Sequence, residues 1–162
     1  MATPAKPTNR DATSNNPPMH GSATPLDDAA IIDLAHTAYV HAGAMNIDAL
    51  VAMFADDIVM ELPFAPPPWP KLHVGKSAVV AFQRRAARSF DTFALTVDRA
   101  LATTERIAVV EANSVGTTTD GRSYTNRYCT VLEFDEAGMI TRWTEYYDPI
   151  AVLSAFAPLG AS

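Results

Sequence analysis

The chain contains a single cysteine, Cys129, among its 162 residues. A lone thiol excludes an internal disulfide and any cysteine-based metal cluster. Histidine is also scarce. His20, His36, His41 and His73 include no HExxH pair, and His36 and His41, five apart, do not stack on one helical face. No protein-held metal and no other cofactor is therefore expected. Positive charge is in short supply, with 12 Lys and Arg against 18 Asp and Glu and a net charge of −6. Nucleic acid, which needs a basic footprint, is not an expected partner. No stretch approaches the roughly 20 apolar residues of a membrane span, so no membrane partner is expected. The opening residues lack the apolar core of a secretory signal, and the expected location is the cytoplasm.

What remains suits one domain with a real core, since 48% of the residues are hydrophobic. Residues 1–24 are rich in Pro, Asn, Thr and Ser without apolar periodicity. They are expected to form a disordered tail, leaving 25–162 as the domain. Thr24 as N-cap and Pro25 at the first position open a helix that runs to Gly43. Asn46 caps a short second helix. Ile58–Leu62 reads as a strand, and 63–73, with five prolines, as a stiff loop carrying Phe64 and Trp69. A third helix follows Gly75, with Arg84, Arg85 and Arg88 on its solvated face.

Beyond Asp91 the pattern alternates with period two through four strands, and a short helix from Ile150 to Phe156 closes the chain. A two-residue turn at Asp120-Gly121 would pair Thr119 with Arg122 and place Asn113 opposite Tyr128. Glu111, Asn113, Asn126 and Tyr128 would then share a face. Helices first and strands last argue an α+β class, with three helices packed on the concave face of a strongly curved antiparallel sheet.

The stretch from Arg122 to Pro149 holds the most chemistry. Two alternating strands joined by Asp-Glu-Ala-Gly put Tyr124, Asn126, Tyr128, Trp143, Glu145 and Tyr147 on one face. Aromatic rings mixed with an amide and a carboxylate suit a pocket that binds an organic molecule and moves a proton on it. Glu145 in an apolar pocket would have its pKa raised toward 6–7, the range of a general acid or base at neutral pH. The alternative is a structural carboxylate paired with Arg127 or Arg142. Tyr128 and Asn126 could hold a substrate oxygen. Cys129 alternates away from them and has no evident activator.

The element order, together with NIDALVAMFADDIVMELPF (46–64), the helix opening at Gly75 and YTNRYCTVLEFDEAGMITRWTEYYDP (124–149), resembles the SnoaL-like group of the nuclear transport factor 2-like superfamily. That superfamily includes ketosteroid isomerases, limonene epoxide hydrolases, polyketide cyclases and the phenazine biosynthesis A/B proteins. The resemblance spans about residues 27–157 and implies the cystatin-like fold, a deep conical pocket and a homodimer through the exposed sheet face. The isomerase base position corresponds to Leu62, beside Glu61. The isomerase oxyanion-hole carboxyl falls near Thr130 and its tyrosine near Ala38 or Tyr39. The phenazine proteins carry a Glu where Glu145 stands in Glu145-Tyr146-Tyr147-Asp148-Pro149, while their histidine corresponds to Phe82.

Together these readings give a small apolar organic ligand as the partner. Glu145, Tyr128 and Asn126 are the catalytic candidates. Tyr39, Met60, Leu62, Phe64, Trp69, His73, Asn113, Trp143 and Tyr147 are the binding candidates. The expected activity is cofactor-independent isomerisation, cyclisation or dehydration of a carbonyl compound. A non-catalytic metabolite-binding protein and a protein-interaction domain are the alternatives.

Overall fold

The first two helices each start where a side chain satisfies an amide of the first turn. Helix α1 (Asp28–Gly43) is capped by Asp27, whose Oδ1 accepts from the Ala30 amide at 2.8 Å. The cap is therefore Asp27 and not the expected Thr24, which lies with the expected tail outside the described residues. Asn46 caps α2 (Ile47–Ala52) through the Ala49 amide at 3.3 Å. The computed structural model describes residues 26–103 and 105–156. Strands β1 (Phe54–Glu61) and β2 (Leu72–Val74) follow, then α3 (Lys76–Ala87). Strands β3 (Phe90–Thr103), β4 (Ile107–Thr118), β5 (Ser123–Phe134) and β6 (Ile140–Tyr147) lead to α4 (Pro149–Phe156).

The six strands form one sheet in the order β2-β1-β6-β5-β4-β3. Its class is α+β, but the cone expected from the sequence is absent. The sheet is open, with β2 and β3 as its edges, and is neither strongly curved nor closed. It is also mixed, because β1 runs parallel to β6; among the described residues four helices accompany it, the three expected ones and the expected closing helix as α4. The reason is local. The hairpin signals of β3 to β6 dictate antiparallel neighbours within that run, and they carry no information on the partner of β1, some 80 residues away in sequence. Part of the expected 63–73 loop is strand as well, since β2 pairs antiparallel with β1 through Met60 and His73.

The β4–β5 register differs from expectation by one residue. The Thr118 amide donates to the Arg122 carbonyl at 2.8 Å, so Thr119, Asp120 and Gly121 form a three-residue loop with Gly121 at φ +84°. That is the three-residue hairpin geometry, which wants Gly in the left-handed region. Ser114 consequently faces Asn126 and Ala112 faces Tyr128. Glu111 and Asn113 turn to the opposite side, beside Cys129 and Arg127.

One face of the sheet carries the core. Ile58, Met60, Val110, Leu132 and Trp143 are buried there against Ile31, Ala35, Ala38 and Tyr39 of α1 and Val79 of α3. The other face carries an ion trio in which Arg142 bridges Glu61 and Glu133. Among the described residues, no helix is long and apolar enough to cross a membrane.

At Gly116 β3 and β4 leave no room for a side chain. A Cβ there would stand 2.5 Å from the Thr92 carbonyl oxygen and 3.3 Å from Phe93 Cα, and backbone cannot swing aside as a side chain can. Gly116→Ala should cost about 1–3 kcal/mol of stability, the range of overpacking. Val115→Thr, next to it but 60% exposed, should stay within about 0.5 kcal/mol of wild type. Urea melts that rank the two alike would show that the strands have room to part.

Candidate functional site

Between the helices and the inner sheet face lies a cavity of about 420 Å³, within the usual size of a small-molecule site. Strand alternation builds its floor: Trp143, Glu145 and Tyr147 from β6, Tyr124 and Tyr128 from β5, Met60 and Leu62 from β1. Tyr39 of α1, Phe82 of α3, Trp69 of the Pro-rich loop and Phe156 of α4 complete the walls. Glu145 is the one carboxylate among the described lining residues.

Its position follows from pairing. Thr130 of β5 faces Glu145 of β6, and Tyr128 faces Tyr147, so Glu145 and Tyr128 are diagonal neighbours, roughly 7–8 Å apart at Cα. Trp143 Nε1 donates to Glu145 Oε2 at 3.1 Å. The Trp143 ring is held in turn, stacked at 5.8 Å on Tyr39 and edge-on to Phe54. The Tyr39 hydroxyl donates to Thr130 Oγ1 at 2.6 Å, which leaves the Thr130 proton for Glu145. Both cations that could have neutralised Glu145 are engaged on the other face, Arg142 by Glu61 and Glu133, Arg127 by Asp98. Burial therefore dominates and pushes the Glu145 carboxyl from 4.5 up to about 7, against the lowering influence of Trp143 and then Thr130.

The tyrosines form a second polar group. Tyr128 OH lies 2.9 Å from Ser114 Oγ and 3.1 Å from Tyr124 OH. Tyr124 OH accepts from Asn126 Nδ2 at 2.9 Å, so its own proton points onward to Tyr128 or into the cavity. Burial, followed by the neighbouring Tyr124 and Glu145, raises the Tyr128 pKa far above the ordinary tyrosine range. Tyr147 and Tyr39 are raised too, again chiefly by burial. All three remain neutral donors at any physiological pH.

The structure brings Tyr39, Met60, Leu62, Trp69, Tyr128, Trp143, Glu145 and Tyr147 together on the cavity wall. Four other candidates stand elsewhere. Asn126 sits behind Tyr124 with its amide fully used: Oδ1 accepts the Arg127 and Asp148 amides and Nδ2 also donates to the Asp148 carbonyl. Asn113, turned over by the hairpin register, donates to Asp98. Phe64 is 53% exposed and rests edge-on against Tyr146 of the outer face. His73 stacks on the back of Phe82 at 4.5 Å, and burial followed by the charge of Arg85 lowers its pKa. Conversely, Tyr124, Phe90, Phe93 and Arg85 reach the cavity without having been candidates. The alternation that exposed Tyr128 also signals Tyr124. Nothing local signals Arg85, whose face depends on where α3 docks. Among the described residues, no three His, Cys, Asp or Glu side chains cluster as metal ligands.

The model of the SnoaL-like domain matches residues 35–143. The chain belongs to this family. Solved structures show the same fold. A putative isomerase from Bacillus subtilis superposes with a TM-score of 0.69 at 22% identity, over 81% of this chain and 96% of its own. BvnE pinacolase from Penicillium brevicompactum gives 0.65 at 20%, over 76% and 89%. An LEH-like epoxide hydrolase from M. tuberculosis gives 0.62 at 20%, over 80% and 88%. No curated protein sequence matches the chain. At such identities the likeness extends to the fold, and the chemistry of this family member must be read from its own residues.

The raised carboxyl has a thermodynamic signature. Between about pH 4.5 and 7 the folded chain keeps the Glu145 proton while the unfolded chain releases it, so stability falls across that window as pH rises. Glu145→Gln removes the buried charge and keeps the shape. The variant should exceed wild type by up to about 3 kcal/mol at pH 8 and equal it near pH 4. Melting curves at the two pH values test this, and a variant less stable at pH 8 would mean that the carboxylate is paired.

Proposed function

We propose that this SnoaL-like protein is a cofactor-independent enzyme that performs acid/base chemistry on an apolar carbonyl compound. One observation carries the reading: a carboxylate without a cationic partner among the described residues, held by Trp143 and Thr130 on the wall of an apolar cavity, with its pKa near 7. At that pKa Glu145 takes and returns a proton with equal ease at neutral pH. Its unprotonated oxygen would remove a proton from the carbon next to the carbonyl. The electron pair would move to the carbonyl oxygen, which accepts a hydrogen bond from Tyr128 or Tyr124. Returning the proton to a different carbon gives an isomer. Expelling a β-hydroxyl as water gives dehydration, and attack on a second carbonyl gives a ring. Asn126 would act at one remove, by directing the Tyr124 hydroxyl. The names of the fold relatives, an isomerase, an epoxide hydrolase and a pinacolase, agree with chemistry on small organic molecules.

The ketone 2-tetralone is a suitable probe, being apolar, bicyclic and carrying acidic α-protons. Wild type should accelerate its α-proton exchange into deuterated water, with a rate that rises through about pH 7. Glu145→Gln should lose about 100-fold or more of that rate. Tyr128→Phe should lose about tenfold or more. Both variants should still bind the ketone, read by fluorescence of Trp69 and Trp143. Exchange no faster than in buffer, or an unimpaired Glu145→Gln, would remove the catalytic role.

We further propose that the protein is a homodimer through its outer sheet face. Thr125, Arg127 and Cys129 are exposed there, with Val115 60% and Tyr146 38% accessible. Light scattering at tens of micromolar should give twice the chain mass of 17.4 kDa, and the monomer mass would refute the assembly.

A further inference from the structure

Arg85 is the one cation among the described residues that line the cavity. It remains solvent-exposed while lining the cavity, so it stands at the mouth, whereas Glu145 lies within. Its neighbour Arg84 is paired with Asp48 at 2.9 Å, on another side of α3. Arg85 has no carboxylate within salt-bridge distance among the described residues. Its charge acts unfavourably on His73. In a chain with a net charge of −6, an arginine left unpaired beside an apolar opening is a ready counter-charge. Gln83 adds a nearby donor on the same wall, its amide turned to a poor acceptor, Met60 Sδ, at 3.8 Å.

We propose that the ligand is an amphipathic organic acid whose carboxylate meets Arg85 at the mouth while its apolar body extends inward to Tyr128 and Glu145. This rests on the reading of the cavity as the ligand site around Glu145. The two ends of the cavity differ in sign, and the difference sets direction. A carboxylate is attracted by Arg85 and repelled by ionised Glu145, so the acid enters apolar end first. The reacting carbonyl is thereby delivered to the Glu145 end, and the fork of the guanidinium fits a carboxylate with two parallel hydrogen bonds. The competing account is that Arg85 serves α3 alone, offsetting the negative C-terminal end of the helix. That account predicts no preference among ligands.

Calorimetry with 2-naphthylacetate and its uncharged amide, at pH 7 and low salt, separates the two accounts. Wild type should bind the acid about three- to tenfold more tightly than the amide, the span of a partly exposed ion pair. Arg85→Gln should abolish that preference by weakening the acid several-fold more than the amide, while Arg85→Lys should retain part of it. Equal binding of acid and amide by wild type, or a preference that survives Arg85→Gln, overturns the proposal. If neither compound binds wild type, the cavity is not the ligand site and the proposal falls with it. The proton-exchange result for Glu145→Gln is a separate readout. An acid preference that depends on Arg85 would stand even if Glu145 proved catalytically idle.

Discussion

Everything chemical in this molecule depends on the pairing of β5 with β6. Thr130 opposite Glu145 sets the carboxylate on the inner face, and the same alternation puts Arg142 on the outer one. Charges of opposite sign three residues apart on one strand are thus separated by the thickness of the sheet. Arg142 finds Glu61 and Glu133 there, and Glu145 is left with the indole of Trp143 and the hydroxyl of Thr130. Two neutral donors are weaker counterparts than a guanidinium, so desolvation wins. The raised Glu145 carboxyl follows from an arrangement that keeps a cation away as much as from one that brings groups together.

The neutral donors are themselves held in place. Tyr39 stacks on Trp143 and spends its hydroxyl proton on Thr130, and both contacts orient a Glu145 donor. Beside them on the same floor Asn126 donates to the Tyr124 hydroxyl, which in turn meets that of Tyr128. Neutral chains of this kind lose little to burial because every member is satisfied. They give the cavity polar features at fixed points while its bulk remains aromatic and aliphatic, which is how an apolar ligand can be oriented without salt links along its length.

How much of this the sequence disclosed depended on the range of each interaction. Alternation in 123–134 and 140–147 located both strands and the face shared by Tyr128, Trp143 and Glu145, because a strand states its own period. The Asp120-Gly121 turn was legible, but its length was not. Thr118 Oγ1 bonds Asp120 and accepts the Arg122 amide, and this clamp adds the loop residue that turns Asn113 outward. The parallel contact of β1 with β6 has no local signature, so neither the open mixed sheet nor the capture of Arg142 by Glu61 could be read. His73 and Phe64 failed as wall residues for a similar reason. Their direction is decided by the short β2 pairing and by Tyr146, outside any repeating pattern.

The clasp made by Asn126 bears on how such a cavity changes over time. A single side chain replaces the backbone ladder where β6 ends, binding both the amide and the carbonyl of Asp148. Beyond that point α4 contributes Val152 and Phe156 to the wall, with a further mooring from Arg122 to the Ser154 carbonyl. The Glu145 carboxylate and the tyrosines lie on the sheet side of the clasp, and the residues of α4 that touch the cavity are all on the other. The last helix is therefore an exchangeable panel. Mutation there can reshape what fits inside while Glu145 and the tyrosines keep their places, a division that lets the shape of the cavity and its polar groups evolve at different rates.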